Sequence, residues 1–143
     1  MENKEINEYM IAQWTLCIEM ANEISKRRDN MNKFFLGINT AIIATISLEW
    51  KIMSIFLNIM GIIICFVWMK FIKNYKIINI EKYNVISNIE EKMIFKPFRM
   101  EWEALQSNKK YKRNSKLELL LPIIYIVVDI IMILLILIVY FKG

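Results

Sequence analysis

Between Leu117 and Phe141 the chain reads LELLLPIIYIVVDIIMILLILIVYF, twenty-five residues whose centre is almost uninterruptedly aliphatic. A run of this length and composition crosses the hydrocarbon core of a bilayer as one helix, because about 20 apolar residues span the roughly 30 Å involved. Only closed hydrogen-bonded backbones are tolerated there, so any further span beside it must be helical as well. Asp129 lies at the midpoint of the run, with twelve residues on either side. A carboxylate at that depth costs roughly 3 kcal/mol on insertion scales, so it must answer to something.

Two further segments have the same character. The first, FFLGINTAIIATISL, runs from Phe34 to about Leu48, and the second, IMSIFLNIMGIIICFVWM, from Ile52 to about Met69. Glu49, Trp50 and Lys51 form a tight link between them, with Trp50 suited to the membrane–water interface. Of the 19 Lys and Arg, five lie before the first span and twelve between Lys70 and Lys116, leaving only Lys51 and Lys142 on the other side. The positive-inside rule then places the N-terminus and residues 70–116 in the cytoplasm and the C-terminus outside. The first ten residues, MENKEINEYM, lack the basic and apolar regions of a cleavable signal, so the spans themselves are expected to direct insertion. The expected fold class is therefore an all-α integral membrane protein. It has a cytosolic amphipathic helix in 1–33, a transmembrane hairpin over 34–69, a cytosolic helical region over 70–116 and a third span in 117–143.

The polar segments carry helical spacing. Ile6, Met10, Trp14, Cys17, Ala21 and Ile24 recur at steps of three and four, giving one apolar stripe on a helix over 5–30. Its polar face is acidic, unlike helices that lie in lipid headgroups, so the stripe is expected to pack on the protein's own cytosolic part. KFIKNYKIINIEKYNVISNIEEKM contains neither Pro nor Gly, and Val85, Ile89 and Met93 keep helical steps. The second span is thus expected to continue outward as one long helix that Pro97 ends, followed by a short helix in FRMEWEAL. Pro122 falls in the first turns of the third span, where proline is best tolerated.

The first span is short and polar, with Asn39, Thr40, Thr45 and Ser47 inside it and Gly37, Ala41 and Ala44 at small-residue spacing. Such residues mark close helix–helix contact in membranes, so this span is expected inside a bundle or an oligomer. Asp129, Asn39, Thr40, Thr45 and Asn58 are the candidate pore or assembly residues, since a single chain of three spans offers little interior for all of them. For Asp129 three readings stand open: a bond across the bundle to Asn39, Thr40 or Asn58; a place in a water-filled pore or ion path; or a silent acid facing lipid. Outside the spans, Arg27 and Arg28 either anchor the chain to anionic lipid or pair with Glu90, Glu91, Glu101 or Glu103. Asn32 and Asn39 are seven apart and share a helix face.

The run KKYKRNSK could suit nucleic acid, but it abuts a span on the cytosolic side. There Lys109, Lys110, Lys112, Arg113 and Lys116 are better matched to lipid headgroups. No enzyme is expected. The chain has no His, no glycine-rich phosphate loop and no cysteine cluster for a metal, so no catalytic residue, metal or cofactor is assigned. Cys17 and Cys65 fall in a polar and an apolar segment and are not expected to pair.

Three blocks of the chain resemble the RipA-like small integral membrane proteins of bacteria. The first is Ile24, Ser25, Arg27, Arg28, Asn32, Phe34 and Phe35, followed by Asn39–Thr40. The second begins at Tyr75 and runs through Val85, Ile86, Ile89 and Glu90 to Pro97, Phe98, Glu101, Trp102 and Leu105. Leu117, Glu118 and Pro122 make the third. The resemblance implies a cytoplasmic-membrane protein linked to stress adaptation or growth inside a host, and it supplies no biochemical activity. Asp129 is not among its residues. In architecture the chain also looks like the small membrane effectors of anti-phage systems. The expectation is a homo-oligomeric, multi-pass protein of the bacterial inner membrane, acting as a regulated effector or channel-like element. Its cytosolic helices would receive a protein or a small signal molecule. The alternative is a non-conducting scaffold that docks a partner.

Overall fold

The computed structural model describes residues 2–48, 51–108 and 117–142, with side chains from residue 6 to residue 141. Trp50 and the basic cluster Lys109, Lys110, Lys112, Arg113 and Lys116 lie outside the described residues. Among the described residues there are four helices: α1 (Glu2–Leu48), α2 (Ser54–Glu90), α3 (Pro97–Ser107) and α4 (Leu120–Lys142). No strand occurs among the described residues. α1, α2 and α4 are each long and apolar enough to cross a membrane.

The helix expected over 5–30 and the span from Phe34 are one continuous helix. Nothing between them breaks it: KRRDNMNK contains neither Pro nor Gly, so the backbone ladder runs on through a drop in hydropathy. α2 likewise leaves its apolar part without a break, as its sequence predicts. The chain divides into two units. A polar unit holds α1 up to Arg28, α2 from Tyr75 and α3; an apolar unit holds Asp29–Asn74 and α4.

In the polar unit α2 stops at Glu90, seven residues short of Pro97, and Pro97 opens α3 instead of closing α2. Proline at the first helical position sacrifices no intrahelical bond, which is why it starts a helix well. The stop is explained by a tertiary contact. Glu90 is fully buried, and its carboxylate accepts the backbone N–H groups of Phe98 (3.0 Å) and Arg99 (3.1 Å) in the first turn of α3, and the indole N–H of Trp14 (3.3 Å) on α1. One anion thus caps two orphan amides at the positive end of a helix and ties in a second helix. The ring of Phe98 sits between those of Trp14 and Tyr83, at centroid distances of 6.0 and 6.1 Å. The inner stripe of α1 is close to the expected one, with Ala21 buried and Met10, Trp14, Cys17 and Ile24 half-buried, but Ile6 is exposed. On α2 the buried positions are Ile86 and Glu90, so the expected stripe is displaced by one residue and Val85 faces outward.

In the apolar unit three helices pack by seams of alternating three- and four-residue steps. On α2 the buried positions are Ser54, Asn58, Gly61, Cys65, Trp68 and Ile72. α1 contributes Phe35, Asn39, Ile42 and Ile46, and α4 contributes Pro122, Tyr125, Asp129, Met132 and Ile136. This period of 3.5 is the knobs-into-holes repeat, so each helix presents one seam to the other two. α1 and α2 run antiparallel: Asn32 meets Trp68, Asn39 meets Cys65, and Ile46 packs near Ile55. Two apolar clusters result. Phe35, Trp68 and Ile72 form one, with stacked Phe35 and Trp68 rings 5.8 Å apart, and Ile46, Met132 and Ile136 form the other.

Glu90→Ala removes the acceptor of three N–H groups, two of them in the backbone. A loss of roughly 1–3 kcal/mol is expected, the range for leaving buried donors unsatisfied. Hydrogen exchange should show the amides of α3 deprotected ahead of those of α2 in this variant. Unchanged exchange across residues 97–107 would remove the capping role assigned to Glu90.

Candidate functional site

Between the two clusters of the apolar unit, the seams turn polar. Asn39 lies one step after Phe35 on α1, Asn58, Gly61 and Cys65 lie between Ile55 and Trp68 on α2, and Asp129 lies between Tyr125 and Met132 on α4. All three helices therefore bring a polar or small residue to the same level of the bundle.

Each of these groups has its own accounting. Asn39 is 1% exposed; its amide nitrogen donates to the carbonyl of Phe35 at 2.8 Å, and its oxygen accepts the Cys65 thiol at 3.3 Å. Two turns nearer the N-terminus of α1, Asn32 accepts the indole N–H of Trp68 at 2.8 Å. The two asparagines that share a face on α1 thus both bond across to α2. Asn58 is fully buried and donates to the carbonyl of Ser54 at 3.0 Å, while its own oxygen has no partner.

Asp129 is 1% exposed, and neither carboxylate oxygen has a hydrogen-bond partner. It does not bond to Asn39, Thr40 or Asn58. What it meets is the backbone of α2 at Gly61: a Cβ added there would stand 2.8 Å from Oδ2, 3.3 Å from Cγ and 3.4 Å from Oδ1. Glycine at 61 is what admits a carboxyl group between α2 and α4. The role of Gly61 was readable from its spacing, three residues after Asn58 and four before Cys65 on a polar seam.

The hydroxyl residues of the first span lie outside that buried level. Thr40 is exposed and shares a 2.7 Å hydrogen bond with the hydroxyl of Tyr125. Thr45 and Ser47 are exposed and bond back to their own helix, at the carbonyls of Ala41 (2.9 Å) and Ile43 (2.8 Å). A single chain therefore does have an interior for Asn39, Ser54, Asn58 and Asp129, contrary to the expectation from the number of polar residues, but not for Thr40, Thr45 and Ser47. In the polar unit Arg27 is exposed, and Glu90 is filled by N–H donors instead of an arginine side chain. Glu103 pairs with Arg99 at 3.2 Å, four residues away on the same helix, and Glu101 and Trp102 are exposed. No group of three or more metal-ligating acids or cysteines occurs among the described residues.

Gly61→Ala should weaken the apolar unit. The added methyl displaces the Asp129 carboxyl, and overpacking of this kind costs roughly 1–3 kcal/mol. Alanine returns up to about 1 kcal/mol of helix propensity, so a net fall in Tm is expected in detergent. Combining it with Asp129→Ala should recover most of the loss. A single variant as stable as the wild type would show that the two residues are not in contact.

No curated protein and no solved structure matches this chain. A family of membrane proteins does match, over residues 11–141, which takes in α1 almost from its start, all of α2 and α3, and α4 almost to its end. The match carries the description of an octameric membrane protein and not the RipA-like name. Three apolar helices, a polar bundle interior and this match together make the chain a multi-pass member of the octameric membrane protein family (8xMP).

Proposed function

We propose that the protein is a homo-octameric effector of the bacterial cytoplasmic membrane, in which the polar unit receives a signal and the apolar unit alters the permeability of the bilayer. The octamer is taken from the name of the family, and the cytoplasmic placement of the N-terminus and of residues 70–116 from the distribution of Lys and Arg. A role in stress adaptation or anti-phage defence fits the resemblance of the chain to RipA-like and defence-associated membrane proteins.

The observation that carries the reading is Asp129. A carboxyl group closed between α2 and α4 with both oxygens unpartnered contributes nothing to holding one chain together. Replacing a buried polar group by an apolar one of similar size is usually neutral or stabilising. Intramembrane acids commonly mark paths for ions or protons, because only a functional return offsets their cost. In the closed bundle Asp129 is shut away from lipid and from any axis, so conduction requires α4 to move against Gly61 and open the acid to water. The polar unit supplies the input: α1 and α2 are continuous helices that enter it.

A non-conducting scaffold is the second reading, and the inward orientation of Asn39, Asn58 and Asp129 favours it, since a dry polar core assembles helices without passing anything. Asp129→Asn separates the two, because it keeps the shape and removes the charge. Its thermal stability should equal or exceed that of the wild type. In cells expressing the protein, a membrane-potential dye should report depolarisation by the wild type and at least about a tenfold slower response in the variant, which corresponds to roughly 1.4 kcal/mol. Equal depolarisation in both would remove Asp129 from the mechanism. No depolarisation by the wild type, with a stoichiometric partner retained on the purified variant, would establish the scaffold.

A further inference from the structure

α1 carries two seams; the second is exposed along its described length and is tied to α2 where the Lys82 ammonium donates to the Met20 sulfur at 3.9 Å. The inner seam runs through Trp14, Ile18, Ala21, Ser25 and Arg28 in the polar unit, and through Asn32, Phe35, Asn39, Ile42 and Ile46 in the apolar unit. Every one of these positions is buried or half-buried. A second series with the same three-and-four spacing starts at Ile6 and ends at Leu48, on the opposite side of the helix, and every one of its positions is exposed. The spacing follows from helix geometry and is shared by every exposed helix face, so the residue types on it decide what it meets.

The residues of the exposed seam change with the solvent. In the polar unit the seam is Ile6, Tyr9, Gln13, Leu16 and Met20, with Ile6 56%, Tyr9 72% and Leu16 57% exposed. Large apolar side chains aligned in water are the means by which association is driven there, and a lone monomer has no use for them. In the apolar unit the same seam becomes Phe34, Gly37, Ala41, Ala44 and Leu48, and a Cβ added at Gly37 would meet open space. In lipid the hydrophobic effect no longer favours association, and close approach over small residues takes its place. Each part of one seam thus holds the residue types that bind a helix in its own medium. By contrast, the exposed face of α4 carries Ile123, Val127, Ile130 and Leu134, large aliphatic groups that match acyl chains.

Where the two parts meet, the seam bears Glu23, Arg27 and Asn30, all exposed. A seam that met only itself would pair copies in twos, so in an assembly of eight it faces a different surface of the neighbouring copy, and Glu23 and Arg27 give that contact one charge of each sign to match. Polar seam residues of this kind set register.

We propose that this exposed seam of α1 is the contact surface between subunits, and that its occupant is a second copy of this chain. The inference rests on the oligomeric reading above and adds the face that makes the contact. The family description names eight copies and leaves that face unassigned.

Photo-crosslinking residues placed singly at Leu16, Ala41 and Ile130 of the full-length protein in native membranes test it directly. Adducts at multiples of the 17.2 kDa chain mass are expected from positions 16 and 41 and not from 130. Independently, Leu16→Glu and Ala41→Trp should each reduce the oligomer population of purified protein about tenfold or more at fixed concentration, read by light scattering or native mass spectrometry. Ile130→Trp should leave it unchanged. Adducts from position 130 alone, or an intact oligomer in both α1 variants, would overturn the seam while the oligomer itself stood. A wild-type protein that is monomeric in membranes would instead overturn the reading beneath it.

Discussion

In the apolar unit, packing is governed by the need to keep side-chain polar groups out of hydrocarbon. α1, α2 and α4 satisfy that need at one level of the bundle and surround it with apolar clusters on either side. Asn39 is the centre of this arrangement, because it closes its own helix through the Phe35 carbonyl and reaches α2 through Cys65. The cost of leaving such groups in lipid is several kcal/mol each, more than most single packing contacts return. The rotational phase of α1 and α2 follows from it: once Asn39 and Asn58 face inward, the 3.5-residue seams on which they lie are determined, and the exposed faces are determined with them.

Two buried carboxylates divide the labour of the molecule. Glu90 has three N–H donors and sits at the positive end of α3, an arrangement that stabilises the charge where it lies. Asp129 has none. The first is explained by the architecture, since without it α3 has little to hold its first turn. The second is accommodated by the architecture, through Gly61, without being needed by it. That contrast is why the proposed function rests on Asp129 and not on Glu90.

The spans were legible in the sequence because a membrane-length apolar run leaves few alternatives, and α2 was legible as one helix because nothing between Lys70 and Glu90 breaks it. α1 divides in two in the sequence because hydropathy falls between Met20 and Phe34, while helical spacing runs on and the backbone follows the spacing. The end of α2 was placed at Pro97 since the contact that ends it, Glu90 on the amides of Phe98 and Arg99, joins residues whose geometry only the folded unit supplies. The neighbours Asn39 and Thr40 show the same limit at finer scale. Both are polar, yet one faces the core and the other lies exposed, and only the phase of the whole seam decides between them. The exposed seam from Ile6 to Leu48 was present in the sequence as well, but composition conceals it: its two parts share a spacing and not a residue type.

That α1 is one helix with two seams has a consequence for coupling. On the proposed interface its outer face belongs to the contact with another copy, while its inner face holds Trp14 against Glu90 in the polar unit and Asn39 against Cys65 in the apolar unit. Packed seams have discrete registers rather than continuous ones, so a neighbour that shifts α1 must exchange inner contacts as well as outer ones. On the proposed function, a signal that favours one arrangement of the outer seam would act on the same equilibrium as the proposed movement of α4 against Gly61. It can shift that equilibrium only by the difference in free energy between the two arrangements. If both proposals hold, α1 is the element that assembly and the state of the buried acid have in common.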